Sequence, residues 1–274
     1  MRTSLILVFC FFYLSVNAQL RFDHSIKNID SVGLFVTYSL KSQEDSLSAF
    51  IRQDDMLLFL GKKVSYFTSR NNYISDTMMR KIKTTEEFQK LLLDRVNPMP
   101  LSRYIYGIFK NYPKDKLTFI EHIPSSTFKY EEDLRMFHWK LTNDTSTILG
   151  YQAQKATCDF GGRSWVAWFS SEIPFNDGPY KFNGLPGLIM KVYDTRYHYV
   201  FEIVSIEKPE KELMIEFVEK EYLEISKLGF FKAEDGFRND IISRAKEAGL
   251  SNEIQQSVAR RMEERNNPIE LQRK

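Results

Sequence analysis

Alternating apolar and polar positions run through most of this chain. Leu34, Val36, Tyr38 and Leu40 interleave with Phe35, Thr37 and Ser39, the period of two expected of a half-buried strand. A second apolar run over 56–60 passes through Gly61-Lys62-Lys63 into Val64-Ser65-Tyr66-Phe67, and the glycine marks a turn or bulge between two hairpin strands. After Ser75 the period changes. Thr84 and Glu87 make a capping-box pair, Phe88, Leu91 and Leu92 follow at i, i+3, i+4 spacing, and Asn97-Pro98 ends the pattern. One helix is therefore expected over 85–95, interrupting the sheet.

From 103 to 208 nearly every segment reads as strand, with turn signals at 111–115, 142–144, 159–162 and 176–179. That spacing leaves no room for crossover helices and predicts a meandering antiparallel sheet. Trp165-Val166-Ala167-Trp168-Phe169 is apolar on both faces, as a strand covered on both sides requires, whereas 137–141 alternates and should have one wet face. Further on, Ile241, Ile242 and Ala245 lead to Gly249, a helix stop, and Ser251 caps a second helix with a narrow stripe of Ile254, Val258 and Met262. Its charges, Arg260, Arg261, Glu263, Glu264 and Arg265, read as a solvated face with i, i+4 pairs such as Arg260 with Glu264. The expected fold is mainly β: a large curved antiparallel sheet, or an open barrel-like sheet, with a helix near 85–95 and C-terminal helices. Phe88, Leu91 and Leu92 are expected to close the curve, any gap beneath them being an apolar ligand site.

The opening residues carry an address. Arg2, an uncharged apolar run over 5–14 and small residues in Val16-Asn17-Ala18 form an export signal expected to be removed after Ala18, leaving 19–274 as a single domain. The run is about half the length needed to span a bilayer, so no transmembrane segment is expected after removal. The mature chain is expected in the periplasm or secreted. Its one remaining cysteine, Cys158, excludes an intramolecular disulfide. With 38 Lys and Arg against 36 Asp and Glu, interspersed along the chain, nothing calls for nucleic acid or an anionic membrane.

Candidate chemistry is sparse. There is no G-x-S-x-G, H-E-x-x-H, C-x-x-C, P-loop or G-x-G-x-x-G pattern, so no catalytic, metal or cofactor-binding residue is assigned, no cofactor is expected, and an enzyme is the less favoured reading. His24, His122, His138 and His198 stand far apart with no second ligand at metal spacing. Cys158, between Ala156 and Phe160, reads as a small buried residue with nothing to stabilise a thiolate. Glu131-Glu132-Asp133 reads as a solvated turn.

The most distinctive stretch is 179–189. Asn183-Gly184 and Pro186-Gly187 are successive tight-turn dipeptides, the second placed like the centre of a type II turn, and a strand follows from Leu188. The hexapeptide Gly184, Leu185, Pro186, Gly187, Leu188, Ile189 resembles the signature of the GLPGLI family of exported bacterial proteins. Lys155-Ala156, Gly162-Arg163, Ala167-Trp168-Phe169, Glu172-Ile173-Pro174, Gly178-Pro179 and Asn267-Pro268-Ile269-Glu270-Leu271 are similar to it as well. The resemblance implies a β-rich envelope protein and an accessory role beside an outer-membrane receptor or transporter. It implies no activity, and the six motif residues are expected to be a structural turn. Two function classes remain: a binding protein for an apolar ligand or peptide, and an extracytoplasmic hydrolase or modifying enzyme whose site is assembled from distant residues.

Overall fold

The computed structural model describes residues 25–124, 126–247 and 249–272. The expected export signal over 1–18 and His24 lie outside them. Thirteen strands form one sheet: β1 (Ser25–Ser42), β2 (Arg52–Gly61), β3 (Ser65–Ser69), β4 (Gly107–Lys110), β5 (Lys116–Ile123), β6 (Ser126–Asp133), β7 (Lys140–Ile148), β8 (Tyr151–Phe160), β9 (Arg163–Ser170), β10 (Leu188–Asp194), β11 (Tyr199–Glu207), β12 (Met214–Glu219) and β13 (Leu223–Glu224). The order is β13-β6-β5-β4-β3-β2-β1-β11-β10-β9-β8-β7, with β12 alongside the first half of β1. All pairs are antiparallel except the short β13–β6 contact. The sheet is open, as expected from the strand pattern, with β7 and β13 at its edges.

The sheet curls. Phe67 of β3 and Phe201 of β11 have ring centroids 6.2 Å apart although β2 and β1 lie between them, a separation of about 14 Å in a flat sheet. Alternate residues of the strands therefore converge into one core on the concave side, including Val36, Tyr38, Leu58, Ile108, Phe119, Trp165 and Phe201. A smaller cluster on the convex side joins Leu57, Phe59 and Phe109 to Ile215 and Phe217 of β12 and to Tyr73.

Tyr73 belongs to a helix that the apolar pattern did not announce, α1 (Arg70–Arg80), capped by Ser69, whose hydroxyl accepts from the Asn72 amide. The expected helix follows as α2 (Thr85–Leu93), with the Thr84–Glu87 capping box formed in both directions. It does not close the sheet: α2 buries none of its residues, and Phe88, Leu91 and Leu92 are only half-buried. The lid is instead α3 (Lys227–Glu247), whose Phe230 packs on Phe119, Phe128 and Tyr130. Gly249 at φ 69° ends it, and Ser251 caps α4 (Asn252–Glu263), as the sequence suggested. Arg260 and Glu264 pair at 4.0 Å on the exposed side of the chain leaving α4.

Two turn and strand readings shift. The 142–144 signal is an irregularity inside β7, and the reversal falls at Leu149-Gly150, both at positive φ. Residues 134–139 are not strand; Phe137 and Trp139 leave the sheet to pack on Phe182, 5.3 and 6.2 Å between centroids.

Candidate functional site

Three buried cations organise the concave side. Lys110, at the end of β4, donates to Asp177 and to the carbonyls of Gly178 (2.5 Å) and Phe182 (3.1 Å), pinning the 171–187 segment inside the curl. Burial depresses its pKa, against the pull of Asp177. Lys181, with no solvent exposure, pairs with Glu132 of β6 and with Glu270 (2.6 Å), and donates to the Tyr130 hydroxyl at 3.0 Å. Lys227 at the start of α3 bridges the same two carboxylates at 2.8 and 2.6 Å. Burial alone would raise the Glu270 carboxyl, but the two lysines hold it at about 2. Burial likewise opposes the charge on Lys181, and its two carboxylates more than offset this.

Arg163, at the start of β9, grips the segment after α4. Its guanidinium donates to Asn267 Oδ1 (2.6 Å) and to the carbonyls of Pro268 (2.7 Å) and Ile269 (3.0 Å), and pairs with Asp194 at 3.2 Å. Residues 267–271 are fastened further by Tyr199, which donates to the Asn267 carbonyl at 2.7 Å, and by Leu271 N–H on the Gly161 carbonyl at 2.6 Å. Gly161 and Gly162 turn at φ 59° and 79° directly against Glu270 and Gln272, where a Cβ would meet atoms at 3.0 and 2.8 Å.

Between α3, the 265–270 segment, β5 and the ends of β1 and β11 lies a cavity of about 140 Å³. Its walls are aromatic, with Phe119, Phe201 and Phe230 beside Tyr104, Tyr106 and Tyr199. Glu121 of β5 lines it as well, and among the described residues nothing donates a hydrogen bond to its carboxylate. Burial, with Glu234 of α3 as the next contributor, lifts Glu121 to about 8, against the influence of Arg103 and Lys181.

The hexapeptide lies next to this assembly. Leu185, Leu188 and Ile189 are buried, and the Tyr38 hydroxyl donates to the Ile189 carbonyl at 2.7 Å. The Pro186-Gly187 pair is not the centre of a type II turn: Gly187 N–H bonds the Leu185 carbonyl at 2.8 Å, closing a three-residue turn about Pro186. Gly187, at φ 150°, passes so close to the end of β9 that a Cβ there would lie 2.1 Å from the Ser170 carbonyl oxygen.

Other singled-out residues stay apart from the cavity. Cys158 is buried and free, its thiol pushed up to about 12 by burial. His122 faces Thr127 at 3.4 Å with its pKa lowered by burial, His198 meets Arg163 at 3.2 Å, and His138 is exposed. No group of three or more His, Cys, Asp or Glu at metal spacing occurs among the described residues. No described helix is long and apolar enough to cross a membrane. Glu131-Glu132-Asp133 is not a turn: it ends β6, and Glu132 is held by Lys181 and Lys227, because its position continues the inward parity of Phe128 and Tyr130.

The sequence reading missed the cavity residues Glu121 and Arg265 and the buried cations Lys110 and Lys181. A usable signal existed for Glu121. It shares parity with Leu117, Phe119 and Ile123, so the alternation alone places a carboxyl toward the core.

Residues 162–191 match the model of a family described as "Protein of unknown function (Porph_ging)". That stretch contains Arg163, Lys181 and the hexapeptide. No curated protein matches the chain. Among solved structures the chain is similar to PNGF-II in its P21 crystal form, at 14% identity and a TM-score of 0.51, over 73% of this chain and 32% of that one. The C2 form of PNGF-II aligns at 14% identity and a TM-score of 0.46, over 66% of this chain and 28% of that one. This chain thus spans about a third of the length of PNGF-II, and at such identity the likeness is one of fold.

Proposed function

We propose that the chain is a binding protein of the cell envelope that holds a small organic molecule in the cavity under α3, as an accessory to transport through the outer membrane. The address rests on the export signal, and the transport role on the resemblance of the hexapeptide and its neighbours to the GLPGLI family. The hexapeptide itself serves as a structural turn, with Leu185, Leu188 and Ile189 in the core. The observation that carries the binding reading is a preformed aromatic cavity with an undonated carboxylate, Glu121, in its wall. With no donor among the described residues, that carboxyl is free to bond a ligand that enters the cavity. At about 140 Å³ the cavity is comparable to one that takes benzene, so a peptide is too large.

Native mass spectrometry of exported protein purified without denaturation tests the reading. The expected result is a small adduct, lost on denaturation and absent from a Phe201→Trp variant that fills the cavity, on a chain beginning at Gln19. A bare chain whose melting responds to no member of a library of such small compounds rules binding out. The hydrolase alternative draws on one observation, the proton that Glu121 keeps up to about 8 beside Glu234, a setting suited to a general acid. It predicts that bound material leaves chemically changed, whereas a binding protein returns it intact.

A further inference from the structure

Resting on that reading, we infer that the cavity takes a small zwitterion, one ammonium and one carboxylate on a compact apolar body, as in a free α-amino acid. The inference comes from which charges around the cavity already have partners. Glu44 is paired with Arg103 at 2.6 Å, Glu234 with Arg238 at 2.8 Å, and Glu270 with Lys181 and Lys227. Two titratable groups on the same walls are left over. Glu121 receives no hydrogen bond and makes no ion pair among the described residues. Arg265, which follows α4, has its Nε buried without a partner, and its guanidinium makes no ion pair among the described residues. Its backbone carbonyl, by contrast, is engaged, accepting from Arg238 at 3.3 Å.

Glu121 and Arg265 line one cavity and form no ion pair with each other, and Glu121 becomes the anion that complements Arg265 once it gives up its proton. A simple amine would satisfy Glu121 and leave Arg265 bare; a simple acid would do the reverse, and an apolar molecule would desolvate both. A zwitterion meets both at once. Its ammonium takes the Glu121 carboxylate with tyrosine faces around it, and its carboxylate takes the guanidinium, the pairing that Arg geometry favours. The apolar body then lies on Phe119, Phe201 and Phe230. Volume limits that body to about the size of a leucine side chain.

The pH dependence follows from the surroundings of Glu121. Glu234 from α3, Arg103 from the segment before β4 and Lys181 from the segment before β10 act on it directly, and Glu44, Arg238, Arg265 and Glu270 line the same cavity. Tyr104, Tyr106, Tyr130, Tyr180 and Tyr199 all have raised pKa values and stay neutral. Because Glu121 must release its proton to hold an ammonium, binding tightens as pH rises from 6 to 8.

The test uses the full exported chain and four probes: L-leucine, 3-methylbutylamine, which lacks its carboxylate, 4-methylpentanoate, which lacks its ammonium, and benzene. Calorimetry should show leucine binding about 100-fold tighter than either single-charge analogue, and tighter at pH 8 than at pH 6. Glu121→Gln and Arg265→Met should each weaken leucine at least about tenfold, and Glu121→Gln should remove the pH dependence, with circular dichroism confirming that both variants fold. Amine or acid binding as tightly as leucine overturns the zwitterion. Benzene binding without leucine overturns it too but leaves the cavity as a ligand site. Binding of none of the four probes by the folded protein overturns both readings.

Discussion

Replacing Gly187 with alanine is the sharpest probe of how the hexapeptide is packed. The new Cβ would lie 2.1 Å from the Ser170 carbonyl oxygen and 2.5 Å from its carbonyl carbon, where 3.0 Å is already closer than real Cβ atoms come. Both are backbone atoms at the end of β9, so no side-chain rotation relieves the contact, and β9 or the 185–189 segment must move by about 1 Å. Forcing volume into a well-packed core costs about 1–3 kcal/mol. The φ of 150° adds about 1–3 kcal/mol for a residue with a side chain. The sum, about 2–6 kcal/mol, is a large part of the roughly 5–15 kcal/mol that holds a domain together. At about 2–4 °C per kcal/mol for a chain of this size, melting should fall by about 5–20 °C. Gly184→Ala is the matched control. It has φ 87° but no atom within 4 Å of the added Cβ, so only the backbone term remains, about 1–2 kcal/mol. Thermal melts by circular dichroism decide the matter: Gly187→Ala melting no lower than Gly184→Ala would refute the packing argument.

Three further outcomes are expected. The Glu270 carboxyl is held at about 2 against 4.5 for a free one, so its stabilisation, about 3 kcal/mol, is complete above pH 4.5 and lost as pH falls through 2; Glu270→Gln should flatten that acid limb in urea titrations, and an unaltered limb would count against the network. Glu121 is raised to about 8, so its contribution is complete below pH 4.5 and lost as pH rises through 8; Glu121→Gln should gain stability relative to the parent as pH rises from 4.5 to 8, and parallel pH profiles would contradict this. Arg163→Lys replaces a fork reaching Asn267, Pro268 and Ile269 by a single ammonium, at a cost of about 2 kcal/mol; limited proteolysis should then cut the 264–272 segment sooner, and an unchanged digestion pattern would show that the grip is dispensable.

What the sequence disclosed was local. The Thr84–Glu87 box, Gly249 and Ser251 each announce a helix end through residues within one turn, and all three are where they were expected. α1 was hidden because Asn71, Asn72, Ile74 and Thr77 are indifferent helix formers, and the chain is helical there through the Ser69 cap and Tyr73 packing on Phe59. The lid was assigned to α2 because its stripe is tidy, yet amphipathicity does not say which face of the sheet a helix will reach. The cavity and its charges were legible only in part. Glu121, Glu132, Lys110 and Arg163 each sit at a core-facing parity of their strand, a discrepancy visible without any structure. Their partners were not visible, because Lys181, Lys227, Asn267 and Glu270 come from distant segments that only the curl of the sheet brings together.

The register of β1 carries a consequence for how the chain folds. Phe35 pairs with nearby Phe59 on one side and with Glu207 on the other, and the first half of β1 waits for β12. The middle of the sheet therefore cannot be completed by any early stretch of the polypeptide; it needs a loop closure across most of the chain before its contacts reward it. Refolding should fall in the slow regime of milliseconds to seconds typical of such non-local topologies. Throughout that interval one edge of β1 stays unpaired, so the central strand is then a template on which a second unfinished chain can add.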